Sequence, residues 1–129
     1  SADTFKVAMF TNSSSIDADT TGYTTSNEVS GTAYTAGGAA LASVTNSLGD
    51  NSSSVPTAYL DFADTTWSTS TISSARGALI YNSTLSGAST RSTTTVAVIN
   101  FGGDKSSSAG DFTIQYPAND ANNAIIRIA

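Results

Sequence analysis

The residues most able to do chemistry form one spaced series, Asp17, Asp19, Thr21, Gly22, Tyr23, Thr25 and Glu28. Oxygen-bearing residues at positions 1, 3, 5, 7, 9 and 12 around a glycine at position 6 match the spacing of a calcium loop, in which the chain turns sharply at the sixth residue and a glutamate closes the site. Calcium is thus the one candidate cofactor, held by Asp17, Asp19, Thr21, Tyr23 and Glu28. The flanks oppose it: they read as strand and loop where such sites have helices, and Thr24 stands where an apolar residue is usual. A solvated loop with Asx and Ser/Thr turns is the competing and preferred reading. Asp61 and Asp64 could form a glycosidase-like acid pair, but three residues of separation on a strand send the two side chains to opposite faces. Lys105 and Ser106 could form a Ser–Lys nucleophile, yet adjacent residues on a polar turn have no means of lowering the lysine pKa. The chain has no histidine and no cysteine. That removes the commonest general base, the usual zinc ligands and thiolate chemistry together. No catalytic set can be assembled, and the expectation is a protein that is not an enzyme.

The elements that would position these residues read as strands. Serine and threonine make up roughly a third of the 129 residues, charged residues only 12%, and the net charge is −5. Abundant Thr, Val, Ile, Tyr and Phe with so little charge favour sheet over helix. Thr4 to Thr11 alternates Phe5, Val7 and Met9 with Lys6, Ala8 and Phe10, a strand whose second face is expected to be only partly exposed. Asn12 to Ser30 reads as loop, with at most one short helical turn near Ser26 to Val29; in Thr32 to Val44 the run Ala39 to Ala42 favours helix while Tyr34, Thr35 and the Gly37–Gly38 pair favour a bent or bulged strand, the preferred reading. Asn46 to Ser54 reads as loop, and Pro56 opens a strand through Phe62. Trp67 is expected at the core edge, followed by a Ser/Thr linker from Ser68 to Ser74, a strand from Ala75 to Asn82 and a loop from Ser83 to Thr93. From Thr94 to Pro117 two apolar runs flank Gly102 to Gly110, the pattern of a long-looped hairpin whose first run is buried on both faces. A turn from Pro117 to Asn123 precedes a last strand from Ala124 to Ala129. The sum is a single antiparallel β-sandwich domain over residues 1–129, immunoglobulin-like or jelly-roll-like, of seven or eight strands.

Five basic residues, Lys6, Arg76, Arg91, Lys105 and Arg127, are scattered among ten acids, which excludes nucleic acid as an expected partner. No run approaches the roughly 18 apolar residues of a membrane span, so no membrane association is expected. Ser1 to Phe10 lacks a basic stretch followed by an apolar core, and no signal peptide is expected there. The tyrosines Tyr23, Tyr34 and Tyr59, with Trp67, offer apolar faces with polar tips and suggest a carbohydrate-binding or adhesive module as a rival function.

Taken together, FTNSSSIDADTTGYTTSNEVSGTAYTAGGAAL, YLDFADTTW, ARGALIYN, VAVINFGGDKSSSAGDFTIQYP and NAIIRIA resemble small proteins encoded among the virion structural genes of tailed bacteriophages. The resemblance covers most of the chain and carries no catalytic signature. It implies a virion component assembled in the bacterial host cytoplasm. A capsid decoration, or cement, protein bound to the major capsid protein comes first, and a tail, head-fibre or head–tail junction protein is the alternative. It also implies a homo-oligomer as a further partner state. On this reading the expected contact residues are Phe5, Val7, Met9 and Phe10 on the terminal strand, with Tyr23 and Tyr34 beside it, because a terminal segment can dock on a neighbour.

Overall fold

A computed structural model describes residues 3–85 and 93–129. The chain is all-β: its strands lie in antiparallel sheets, no described residue is helical, and the arrangement is consistent with a β-sandwich. The described residues contain eight strands, β1 (Phe5–Thr11), β2 (Gly31–Thr32), β3 (Ala39–Ala40), β4 (Thr45–Asp50), β5 (Pro56–Asp61), β6 (Thr65–Asn82), β7 (Thr95–Ile114) and β8 (Ile126–Ile128). The described residues fall into two compact units, Ser1–Ala40 with Trp67–Phe112, and Leu41–Thr66 with Thr113–Ala129.

In the first unit β1 pairs antiparallel with β6 along its whole length and with β3 through Lys6 and Val7 on its other edge. Asn27 and Val29 extend that edge, the carbonyl of Asn27 accepting from Thr11 N–H and Val29 N–H donating to Met9. A central strand covered on both faces carries apolar residues at successive positions. Val7, Ala8, Met9 and Phe10 are accordingly all 0% exposed, with no half-wet second face. Ala8, Phe10, Leu79 and Tyr81 form a core cluster, covered by Ile16, Tyr23 and Val98. Trp67 is buried, its ring 6.2 Å from that of Phe112 and 5.8 Å from that of Tyr34.

The expected hairpin from Thr94 to Pro117 is a single strand. β7 runs antiparallel to β6, Asn82 N–H donating to Thr94 at one end and the Thr66 and Thr113 hydroxyls meeting at the other. Its glycines make a bulge instead of a turn. Arg76 meets Asp104 while the adjacent Gly77 packs on the carbonyl of Ile99, so residues 100–103 are extra in the ladder. Gly102 takes the left-handed conformation there (φ 73°). The apolar residues 96–99, expected to be buried on both faces, are half-buried.

The expected linker from Ser68 to Ser74 lies inside β6, and its hydroxyls explain how. Thr69, Ser74 and Ala109 have positive φ (50°, 57° and 48°), a conformation that turns an amide away from the regular ladder. Each of these N–H groups is met by a side chain from the opposite strand. Thr69 donates to Asp111 Oδ1 (3.0 Å), Ser74 to Ser106 Oγ (3.0 Å) and Ala109 to Thr71 Oγ1 (3.1 Å). Ser107 Oγ also accepts from Ile72 N–H and meets Ser70 Oγ, which is fully buried. Serine and threonine here complete a bulged ribbon.

Three other expectations change. The run from Thr32 to Val44 is strand only at β2 and β3. The run from Asn46 to Ser54 holds all of β4 but its first residue, because the reversal occurs later: Asn51 Oδ1 accepts from Ser53 and Val55 N–H, and Ser54 takes φ 56°. The last strand shortens to β8. The loop from Ser83 to Thr93 lies largely outside the described residues.

In the second unit β4, β5 and β8 form a three-stranded sheet in that order. Leu41, Phe62, Ile114, Tyr116, Ala121 and Ala124 are buried, the Phe62 and Tyr116 rings meeting edge-on at 5.6 Å.

Candidate functional site

Residues 12–38 form a long connection whose only acid beyond Asp19 is Glu28. Glu28 is placed by a turn from Thr25 and by its bridge to Phe10, which sets its side chain beside β1. Its carboxylate accepts three hydrogen bonds, from Tyr23 OH (2.5 Å), Tyr34 OH (2.7 Å) and Gly37 N–H (2.8 Å). Tyr34 OH accepts in turn from Met9 N–H at 2.9 Å, and Tyr81 OH donates to the Gly37 carbonyl at 2.8 Å. The Tyr23 ring stacks on Tyr81, centroids 5.0 Å apart and planes at 12°. One carboxylate therefore gathers three tyrosines and fastens the connection to the central strand.

This geometry assigns Glu28 to the fold. The residues of the calcium-like series do not converge on a cation: Asp17 Oδ1 accepts from its neighbour Asp19 N–H at 2.9 Å, an Asx turn, and the Thr21 carbonyl accepts from Thr94 N–H. Among the described residues no group of three or more His, Cys, Asp or Glu is placed to hold a metal. Asp61 is 1% exposed with Oδ1 accepting from Phe62 N–H, while Asp64 Oδ1 accepts from Tyr116 N–H. Each carboxylate of that pair thus serves the backbone beside it. Ser106 is engaged with Ser74, and Lys105 lies on β7 and not on a loop.

The expected contact residues are mostly withdrawn from solvent. Val7, Met9 and Phe10 are completely buried and Phe5 is half-buried, because the terminal strand is a central strand of its sheet. Tyr23 and Tyr34 spend their polar tips on Glu28, which removes the hydrogen-bonding ends a sugar would use.

Burial and the Glu28 carboxylate push the hydroxyls of Tyr23 and Tyr34 well above the ordinary tyrosine value of 10.0, and burial raises Tyr81 and Tyr116 as well. The folded chain holds these protons more tightly than the unfolded chain does. Their contribution to stability is therefore complete below about pH 10 and is lost as pH climbs from there towards the raised folded values. In an alkaline titration followed at 295 nm and by far-UV circular dichroism, these four tyrosines are expected to ionise together with loss of strand signal. Ionisation of all of them near pH 10 with the fold intact would contradict the arrangement.

Sequence reasoning missed a different surface. The large apolar residues that stand exposed among those described are Val44 (39%), Leu48 (76%), Val55 (41%) and Ile128 (71%), all on or beside the β4–β5–β8 sheet. Strand register puts Leu48, Ala58 and Ile128 in one row across the three strands, with Leu60 and Ile126 in the next row on the same face. The one available signal was Leu48 itself, a large apolar residue alone in the polar run NSLGDNSSS. Comparison of the chain with known protein families, with curated proteins and with solved structures gave no match.

Proposed function

We propose that this chain is a non-enzymatic structural component of a tailed-phage virion, a capsid decoration protein that binds the major capsid protein on the shell. The observation that carries a binding role is the apolar row Leu48, Ala58 and Ile128, which lies open on a sheet face. An open apolar row on an otherwise polar surface is stabilised by a partner that covers it. The sequence resemblance supplies the identity of that partner. Repetition over a shell lets a small patch suffice, since many weak contacts add through avidity.

Quantitative mass spectrometry of gradient-purified particles from a phage that encodes the chain tests this. Copies in a fixed ratio to the major capsid protein, lost when Leu48→Asp and Ile128→Asp are combined in a chain that still folds, are expected. A few copies per particle would move the assignment to the tail, head fibre or head–tail junction, and absence from particles would remove the virion reading.

A further inference from the structure

The strand edges of this molecule are not treated alike. β7 pairs among the described residues only with β6, but its open edge is interrupted by the bulge at 100–103 and carries Asp104 and Lys105. β8 is three residues long and contains Arg127, and β2 and β3 have two residues each. These are the ordinary devices that keep an edge from pairing with another chain. β4 has only one of them, a charge at its last residue. It pairs among the described residues only with β5, in unbroken register from Thr45↔Asp61 to Asp50↔Pro56. It contains no lysine, arginine or proline, its single charge is the terminal Asp50, and every residue is exposed except the half-buried Gly49. Asn119 reaches the side chain of its first residue, Thr45, at 2.8 Å.

We propose that β4 is a homodimerisation edge, pairing antiparallel with β4 of a second copy about a two-fold axis at Leu48. The occupant follows from self-complementarity. In this register Leu48 meets Leu48, Ser47 meets Gly49, and Asn46 meets Asp50 of the second copy, so the strand's one charge faces a neutral amide twice and never its own kind. The three-stranded sheet becomes six-stranded, and the row Ile128, Ala58, Leu48 continues without interruption into its symmetry mate. Two six-residue strands bury less than a standard interface, so the dimer is weak. It forms whether or not the chain is carried on a particle.

Sedimentation velocity of the purified chain from about 10 μM to 1 mM, with no particle present, reads the equilibrium at concentrations suited to a small interface. A monomer–dimer equilibrium is expected, tightened several-fold by Asn46→Lys, which sets a cation against each Asp50, and weakened several-fold by Asn46→Asp and by Leu48→Lys. The same charge changes at the exposed Ser108 on β7 are expected to leave it unmoved, which separates register from net charge. Circular dichroism confirms the fold of each variant. A monomer throughout, or a dimer that answers Ser108 and Asn46 variants equally, overturns the proposal.

Discussion

Replacing Gly38 by alanine is expected to cost about 3–5 kcal/mol, among the largest effects open to a single methyl group here. Gly38 has φ 76°, and a Cβ on it would lie 1.9 Å from the carbonyl oxygen of Val7. The left-handed conformation alone accounts for about 1–2 kcal/mol. The remainder comes from forcing the chain away from β1, because the next residue, Ala39, pairs with Val7. Val7 is fully buried, so β1 cannot shift without disturbing the core. Gly103, on β7, provides the control. No atom lies within 4 Å of a Cβ placed there, and Gly103→Ala is expected to change stability by less than about 0.5 kcal/mol. Urea unfolding of the two variants measures the difference, and similar midpoints would show that the close approach at Val7 is not needed.

Removing the Glu28 carboxylate is the second large effect. Glu28→Ala deletes three hydrogen bonds to a charged acceptor and leaves Tyr23 OH, Tyr34 OH and Gly37 N–H to find new partners. Hydrogen bonds to charged groups are worth about 1.5–3 kcal/mol each, and partial exposure of the site discounts the sum, so a loss of about 3 kcal/mol is expected. That corresponds to a fall in Tm of about 10 °C for a chain of this size. The spectroscopic signature is as informative as the stability. Tyr23 stacks on Tyr81, and Tyr34 packs on Trp67, so near-UV circular dichroism should lose amplitude even below the transition. Glu28→Gln keeps the shape but replaces an acceptor oxygen with a donor nitrogen, and it should recover only part of the loss. A variant as stable as the parent, with an unchanged near-UV spectrum, would show that the connection 12–38 is held by packing alone.

The all-β class was legible because Val, Ile, Tyr and Phe recur in short alternating runs; the strand expected from Thr4 begins at Phe5, and the one expected from Pro56 begins there. The longest elements were not legible. Residues 68–74 and 104–110 have the composition of loops, and only their mutual arrangement turns them into β6 and β7. A hydroxyl that caps an amide on the opposite strand leaves no periodic trace in its own sequence. Glycine misled in the same way, since Gly102 serves a bulge as readily as a turn. The calcium-like spacing around Asp17 and Glu28 was real as a pattern, but spacing along a chain does not say which donors will reach a carboxylate first. Three did, two of them tyrosines that seemed free to bind something else. The place of β1 in the sequence suggests a docking segment, but the burial of Val7 to Phe10 follows from neighbours far away in sequence. The exposed row at Leu48 was hidden for the opposite reason: it depends on cross-strand register, and Ile126 and Ile128 looked like any other core face.

The ribbon of β6 and β7 has a consequence for the conditions this fold withstands. Outside the Arg76–Asp104 ion pair and the Asp111 carboxylate, its cross-strand side-chain bonds join neutral hydroxyls and amides. Counter-ions screen charges and leave neutral dipoles at contact distance almost untouched. Added salt therefore removes little from the cohesion of these strands, while it relieves the mutual repulsion of a chain with net charge −5. A protein built this way is expected to keep its shape as ionic strength rises, trading the long reach of charge for many short, saturable bonds that salt weakens little.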